Sequence, residues 1–145
     1  MDQFLDAAIA EAQRGLDQGG IPIGSVLILD GRIAGRGHNQ RVQQGSAVLH
    51  AEMDAIENAG RLSAAEYRRC ILYSTLSPCD MCSGAALLYG IPKIVIGENE
   101  TFSGPEDYVR SRGVDLRIMG DQRCVDLMRQ FISQKPDLWN EDIGV

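Results

Sequence analysis

Apolar residues recur three and four positions apart through Phe4, Leu5, Ala8, Ile9, Ala12 and Leu16, and the pair Gly19-Gly20 ends the pattern. This spacing predicts an amphipathic helix over 4–16. GSVLILDGRIAGRG reads as two short strands around the turn Asp30-Gly31, the strongest hairpin signal in the chain. A polar loop follows from His38 to Ser46, and VLHAEMDAIENAG is helix-like up to Gly60. ILYST predicts a strand. SPCDMCSGAALLYG predicts a helix with Pro78 in its first turn and Met81, Ala85 and Leu88 on one side. KIVIG and DLRIM read as two more strands, and CVDLMRQFI as an amphipathic helix running to Pro136. The remaining DLWNEDIGV has no clear period.

The order of helix, hairpin, helix, strand, helix, strand, strand, helix implies an α/β fold, a five-stranded sheet between two layers of helices. The Asp30-Gly31 turn makes the first pair antiparallel, while the later crossovers favour parallel neighbours, so the sheet is expected to be mixed. At 145 residues the chain is expected to form a single domain spanning 1–145.

Composition narrows the partners. Lys and Arg number 14 against 20 Asp and Glu, a net charge of −6, so a polyanion is repelled on average and a nucleic-acid partner is not expected. No run approaches the roughly 18 apolar residues that a membrane span needs. The opening MDQFLDAAIAEAQ lacks a basic start and a long apolar run, so the chain is expected to be cytoplasmic, with no membrane partner. Four cysteines stand at 70, 79, 82 and 124. Cys70 and Cys124 read as small core residues, whereas the close pair Cys79 and Cys82 reads as metal or redox chemistry.

Two fragments carry that chemistry: His50-Ala51-Glu52 and Pro78-Cys79-Asp80-Met81-Cys82, each at the start of a predicted helix. One imidazole and two thiolates suit a single zinc ion and leave the fourth tetrahedral position open, as catalytic zinc sites do. Cys79 and Cys82 are three apart, so in the first turn of a helix both sulfurs reach one metal, and the free N–H groups there favour thiolates. Glu52 is the candidate acid-base group that moves protons beside the metal. Residues two apart on a helix point about 200° apart, so His50 and Glu52 converge only if His50 precedes the regular helix. The helix is therefore expected to begin within a residue or so of His50. A redox pair or two buried thiols would explain Cys79 and Cys82 alone, but neither explains the full pattern, and a structural zinc site lacks a fourth ligand at ordinary spacing.

HAE followed by PCDMC matches the zinc deaminase pattern. More narrowly, GGIPIGSVLI, GRGHNQR, GSAVLHAE, YSTLSPCDMCSGA, YGIPKIVIGEN and LWNEDIG resemble the fungal-type cytosine deaminases, a branch of the cytidine and deoxycytidylate deaminase superfamily, over nearly the whole chain. The resemblance implies a cytidine-deaminase-like three-layer sandwich, a homodimer, one catalytic Zn2+ per subunit, and hydrolysis of cytosine to uracil and ammonia in pyrimidine salvage. It also implies that His50, Cys79 and Cys82 hold zinc and that Glu52 shuttles protons. Asn39 and the backbone at Ala51 would hold the ring's polar edge, the Ser77 carbonyl would face the departing amine, and Asp142 would take the amino-group side. Ile23 would lie under the ring with Leu76 beside it. Phe102 and Trp139 would close the pocket, with a lid segment at about 137–145. His38 is expected to make hydrogen bonds rather than bind metal, and the Met81, Leu87 and Leu88 side to face core or dimer. The chain departs from the fungal pattern at Asn140, where the yeast enzyme has an aromatic, and in the loop 102–106 around Gly104 and Pro105. Those departures leave open a related base such as isocytosine, a substituted pyrimidine, guanine or a pterin-like ring. Adenosine in transfer RNA is disfavoured by the acidic balance. A silent zinc-stabilised interaction domain is the alternative of another class, and Glu52 argues against it.

Overall fold

The computed structural model describes residues 2–145. Helix α1 (Gln3–Asp17) opens on Asp2, whose carboxylate accepts from the Phe4 and Leu5 amides and so satisfies two of the donors that a helix start leaves free. The hairpin forms as its turn demands. Strands β1 (Gly24–Leu29) and β2 (Arg32–His38) flank Asp30 and Gly31, both at positive φ. The chain continues through α2 (Arg41–Gln44), α3 (Ala51–Ala59), α4 (Ala64–Tyr67), β3 (Cys70–Leu76), α5 (Asp80–Tyr89), β4 (Lys93–Glu98), α6 (Glu106–Ser111), β5 (Asp115–Ile118), α7 (Gln122–Gln134) and α8 (Pro136–Asp142).

The strands form one mixed sheet in the order β2-β1-β3-β4-β5. β1 runs antiparallel to both β2 and β3, and β3, β4 and β5 run parallel. Alternation along the strands separates two apolar faces. Leu27, Leu29, Leu72, Ile94 and Ile96 meet Ala86 of α5 and Val109 of α6 on one side. Val26, Ile28, Tyr73 and Val95 meet Leu5 and Ala8 of α1 on the other. A third cluster at the end of the sheet joins Ile21, Ile23, Ala51 and Leu76 to Met128, Phe131 and Trp139 from the last two helices. This is the expected three-layer α/β sandwich. No helix among the described residues is long and apolar enough to cross a membrane.

α3 lies flush on β2. A Cβ on Gly35 would stand 2.3 Å from the Ala55 carbonyl oxygen, closer than atoms can approach, so only glycine lets the helix sit at this depth. The Asp54 carboxylate then accepts from the His38 amide (3.1 Å) and from Gln40 Nε2 (2.9 Å), tying the first turn of α3 to the end of β2. The His38 ring bridges Glu11 and Gln18 through its two nitrogens, the hydrogen-bonding role expected of it. Burial pushes the Glu11 carboxyl up, but the hydrogen bonds from His38 and Arg36 outweigh it and hold the group below the usual carboxylate range.

Several details differ from the expectations. α3 does begin one residue after His50, which is its N-cap. α5 begins later than the sequence pattern suggested: Cys79 is its N-cap, so Pro78 lies outside the helix rather than in its first turn. The tail is not irregular, because Pro136 starts a helix of its own. Short helices α2, α4 and α6 occupy stretches too brief to show an apolar repeat.

Candidate metal centre and base pocket

His50 and Cys79 are both N-caps in extended conformation, and Cys82 follows in the first turn of α5. The parallel pairing of β3 with β4 places the α5 start at the carboxyl end of the sheet, beside the start of α3. His50 Nδ1 lies 3.5 Å from Cys79 Sγ and 3.7 Å from Cys82 Sγ. A tetrahedral zinc with Zn–S of about 2.3 Å and Zn–N of about 2.0–2.1 Å puts nitrogen and sulfur about 3.6 Å apart. The three donors are therefore set at zinc-ligand spacing around a common point, and they form the candidate metal group among the described residues. Ligand type agrees with geometry, since two thiols and an imidazole are a zinc set.

Electrostatics around the triad favour a cation. The hydrogen bond from Cys82 draws the Cys79 thiol down to about 4 against the opposing effect of burial, and His50 helps. The partner thiol and burial push Cys82 the other way, and a divalent ion would favour the deprotonated form of both sulfurs. Burial pulls His50 down, but the Cys79 hydrogen bond and the carboxylates of Asp142 and Glu52 lift it to about 9. Its second nitrogen, Nε2, stands 3.4 Å from Asp142 Oδ1. A carboxylate on the far nitrogen orients a metal-ligating imidazole and fixes its tautomer. This placement of Asp142 beside His50 was not read from the sequence, because the two stand 92 positions apart.

A narrow cavity opens beside the triad, with about 20 Å³ of space that the centre of a water molecule can reach. Glu52 lines it, with its carboxyl pushed up to about 7, chiefly by burial and against the pull of His50. Asn39, Ala51, Ser77, Ile23, Leu76, Phe102, Trp139 and Asp142 also line it, with His50 and Cys79. Cys82 is buried behind that wall. The cavity thus gathers eleven of the twelve residues singled out in the sequence and adds Ile143.

The protein's own hydrogen bonds orient the polar groups of the cavity. Asn39 Nδ2 donates to Asp142 Oδ1 (2.9 Å) and Oδ1 accepts from the Arg41 amide (3.1 Å). Asn39 therefore caps a turn and still has one N–H and one lone pair for a ligand. Phe102 and Trp139 meet edge to face with centroids 6.2 Å apart. The loop carrying Phe102 is held from below: Glu98 Oε2 accepts from the Glu100 and Thr101 amides, and Ser77 Oγ donates to Glu106 while accepting from Gly104. Gly104 presses so close to Pro78 that a Cβ there would fall 1.8 Å from its carbonyl oxygen. The rewritten loop is thus fitted to the metal-binding segment. Met81 lines the outer mouth rather than core, together with Asp80, Arg41, Glu141 and Gly104. Leu87 packs against the core, and Leu88 is exposed.

A profile of the cytidine and deoxycytidylate deaminase zinc-binding region matches residues 1–98. The chain belongs to that deaminase family. The cytosine deaminase of Candida albicans is 51% identical over 141 residues, covering 97% of this chain and 94% of the relative. A tRNA-specific adenosine deaminase of Streptococcus pyogenes is 42% identical, covering 90% and 89%. Among solved structures, a tRNA:A34 deaminase from a study of A-to-I editing superposes with a TM-score of 0.72 at 26% identity, covering 86% of this chain and 98% of that one. The guanine deaminase of Nitrosomonas europaea superposes with a TM-score of 0.73 at 19% identity, covering 90% and 83%, which speaks to the shared deaminase fold alone.

Proposed function

We propose that this deaminase hydrolyses free cytosine to uracil and ammonia. The observation that carries the reading is the small cavity beside the metal triad, lined by the apolar side chains of Ile23, Leu76, Phe102 and Trp139 together with Asn39, Glu52 and Asp142. A flat base with donor and acceptor edges fits such a site. Trp139, Asp142 and Ile143 of the C-terminal segment form part of the wall, which leaves little room for a nucleoside's sugar. The activity of the Candida relative supports the same substrate.

Zinc held by His50, Cys79 and Cys82 would supply a Lewis acid that makes a water nucleophilic near neutral pH. Glu52 would take one proton from the attacking water and deliver it to ring N3, then pass the remaining proton of the hydroxyl added at C4 to the amine, so that ammonia leaves as the C4 carbonyl forms. Asn39 and the Ala51 amide, one of the first helical N–H groups that no carbonyl of α3 reaches, hold the ring's carbonyl edge. Asp142 uses Oδ2 toward the exocyclic amine, since Oδ1 is engaged by Asn39 and His50. The Ser77 carbonyl faces the departing nitrogen. Phe102, Trp139 and Ile143 exclude bulk water.

Transfer RNA editing is the second reading, favoured by the Streptococcus relative. The mouth opposes it, because Asp80, Glu141 and Asp142 outnumber Arg41 there, and RNA binding needs the opposite sign. Ammonia release from cytosine, isocytosine, guanine, cytidine and an adenosine-containing tRNA, under one set of conditions, separates the readings. Cytosine should turn over and cytidine should be rejected by about 10²-fold or more. Turnover of tRNA or guanine with none of cytosine would sink the free-cytosine reading.

The protomer is further proposed to pair with a second copy through the outward side of α5, where Leu88 is 76% exposed, and the loop before α3, where Val48 is 53% exposed. Apolar side chains this open favour a buried interface. Sedimentation equilibrium should read twice the chain mass, and a monomer at micromolar concentration would remove the proposal. All four cysteines are free, which suits the reducing cytoplasm proposed as the compartment.

A further inference from the structure

Arg41 lies in the polar stretch between Asn39 and His50, and nothing in its sequence surroundings marks it. In the fold it is the hub of the pocket's rim. Its amide donates to Asn39 Oδ1, and its Nε donates to the Ala47 carbonyl (3.1 Å), which fixes the base of the guanidinium. Its Nη1 then faces two carboxylates of the C-terminal helix, standing 3.6 Å from Glu141 Oε1 and 3.9 Å from Asp142 Oδ1. The arginine side chain is only 14% exposed and that of Asp142 3%, while Glu141 is 65% exposed. Among the described residues Arg41 is the only lysine or arginine ion-paired to α8.

The rest of the tail's attachment is of another kind. Leu138, Trp139 and Ile143 pack on the cluster at the end of the sheet, and Asn39 holds Asp142 from inside the pocket. Apolar packing of this kind is indifferent to salt at moderate concentration. The Arg41 contacts are longer than direct hydrogen bonds, partly solvated, and span the mouth of the cavity from α2 to α8. Such a pair holds a segment in place without locking it, and it weakens as ionic strength rises.

We propose that Arg41 is a positioning residue, an electrostatic latch that holds α8 over the pocket through Glu141 and Asp142 and so sets how readily the mouth opens. It acts on the reaction through Asp142 and Trp139 and does not touch the base. The inference rests on the free-base reading only for what passes through the mouth. The latch itself is a property of the tail, and the tail carries a reporter: Trp139 is the chain's single tryptophan.

The test compares acrylamide quenching of Trp139 fluorescence and steady-state kinetics on cytosine in the zinc-loaded parent, Arg41→Gln and Arg41→Lys, each from low salt to 1 M NaCl. In Arg41→Gln, quenching should rise roughly twofold and KM about tenfold, with a smaller change in kcat, because closure rather than proton transfer is impaired. Arg41→Lys should retain most of the parent's behaviour, since the charge remains. Added salt should raise quenching in the parent and leave Arg41→Gln unmoved. Parental quenching and salt response in an Arg41→Gln protein of normal melting temperature overturn the latch. Should Arg41→Gln not fold, a parent whose quenching ignores salt overturns it as well. If the parent deaminates no cytosine, the quenching arms still decide the latch and the substrate reading falls alone. If cytosine turns over normally while quenching stays flat, the latch falls alone.

Discussion

Glu52→Gln should lower cytosine turnover by about 10³- to 10⁴-fold while zinc content and melting temperature stay with the parent. Glutamine fills the same volume in a site where the side chain is buried, so packing is preserved and only the exchangeable carboxyl proton is lost. Glu52 is no member of the triad that converges on one point, so the metal should remain. Single-turnover kinetics with a matched zinc assay would check this. Turnover within tenfold of the parent would mean that another group moves the proton and that Glu52 is a buried acid of some other purpose.

Cys82→Ser carries the second large effect, and it should abolish both stoichiometric zinc and turnover. Cys82 has no solvent exposure, so a hydroxyl there is a poor ligand that no outside group can replace. Stability should fall too, because metal binding to a preformed site adds to folding free energy. A loss of about 3 kcal/mol lowers the melting temperature by roughly 6–12 °C in a chain of this size. The core clusters do not depend on the metal, so the variant should still unfold cooperatively. Chelation should lower the parent's melting temperature to that of the variant and leave the variant unchanged. A Cys82→Ser protein that retains zinc and turnover would remove Cys82 from the ligand set.

The zinc triad was legible because its spacing has a mechanical meaning. Two N-caps, one histidine and one cysteine, place ligands where a helix has free amides, and His-x-Glu makes geometric sense only at such a boundary. The hairpin was legible for a similar reason, since Asp-Gly states its own backbone conformation. The tail was not. α8 spans seven residues, too few for a repeat, and its helicity depends on Pro136 at its start and on Leu138, Trp139 and Ile143 finding the end of the sheet. Helix α4 could have been found: Ser63 and Glu66 cap each other's amides reciprocally, a signature visible as Ser-x-x-Glu. The contacts of Asp142 with His50 and of Arg41 with the tail lay beyond reach, because each joins residues about a hundred positions apart and neither belongs to a periodic pattern.

The hydrogen bonds that Asp54 makes to His38 and Gln40, with the close seat of α3 on β2, put Glu52 on a helix anchored directly to the sheet. The metal ligands share that ground, and the family match ends at residue 98, where β4 ends. Phe102, Trp139 and Asp142, which close the pocket, all come after it. The metal-binding segment and the closing wall of the pocket therefore lie in separate stretches of one gene. The wall that closes the pocket can thus be rewritten in the last third of the chain without moving the metal-binding residues, while Asn39 and Ala51 stay beside them.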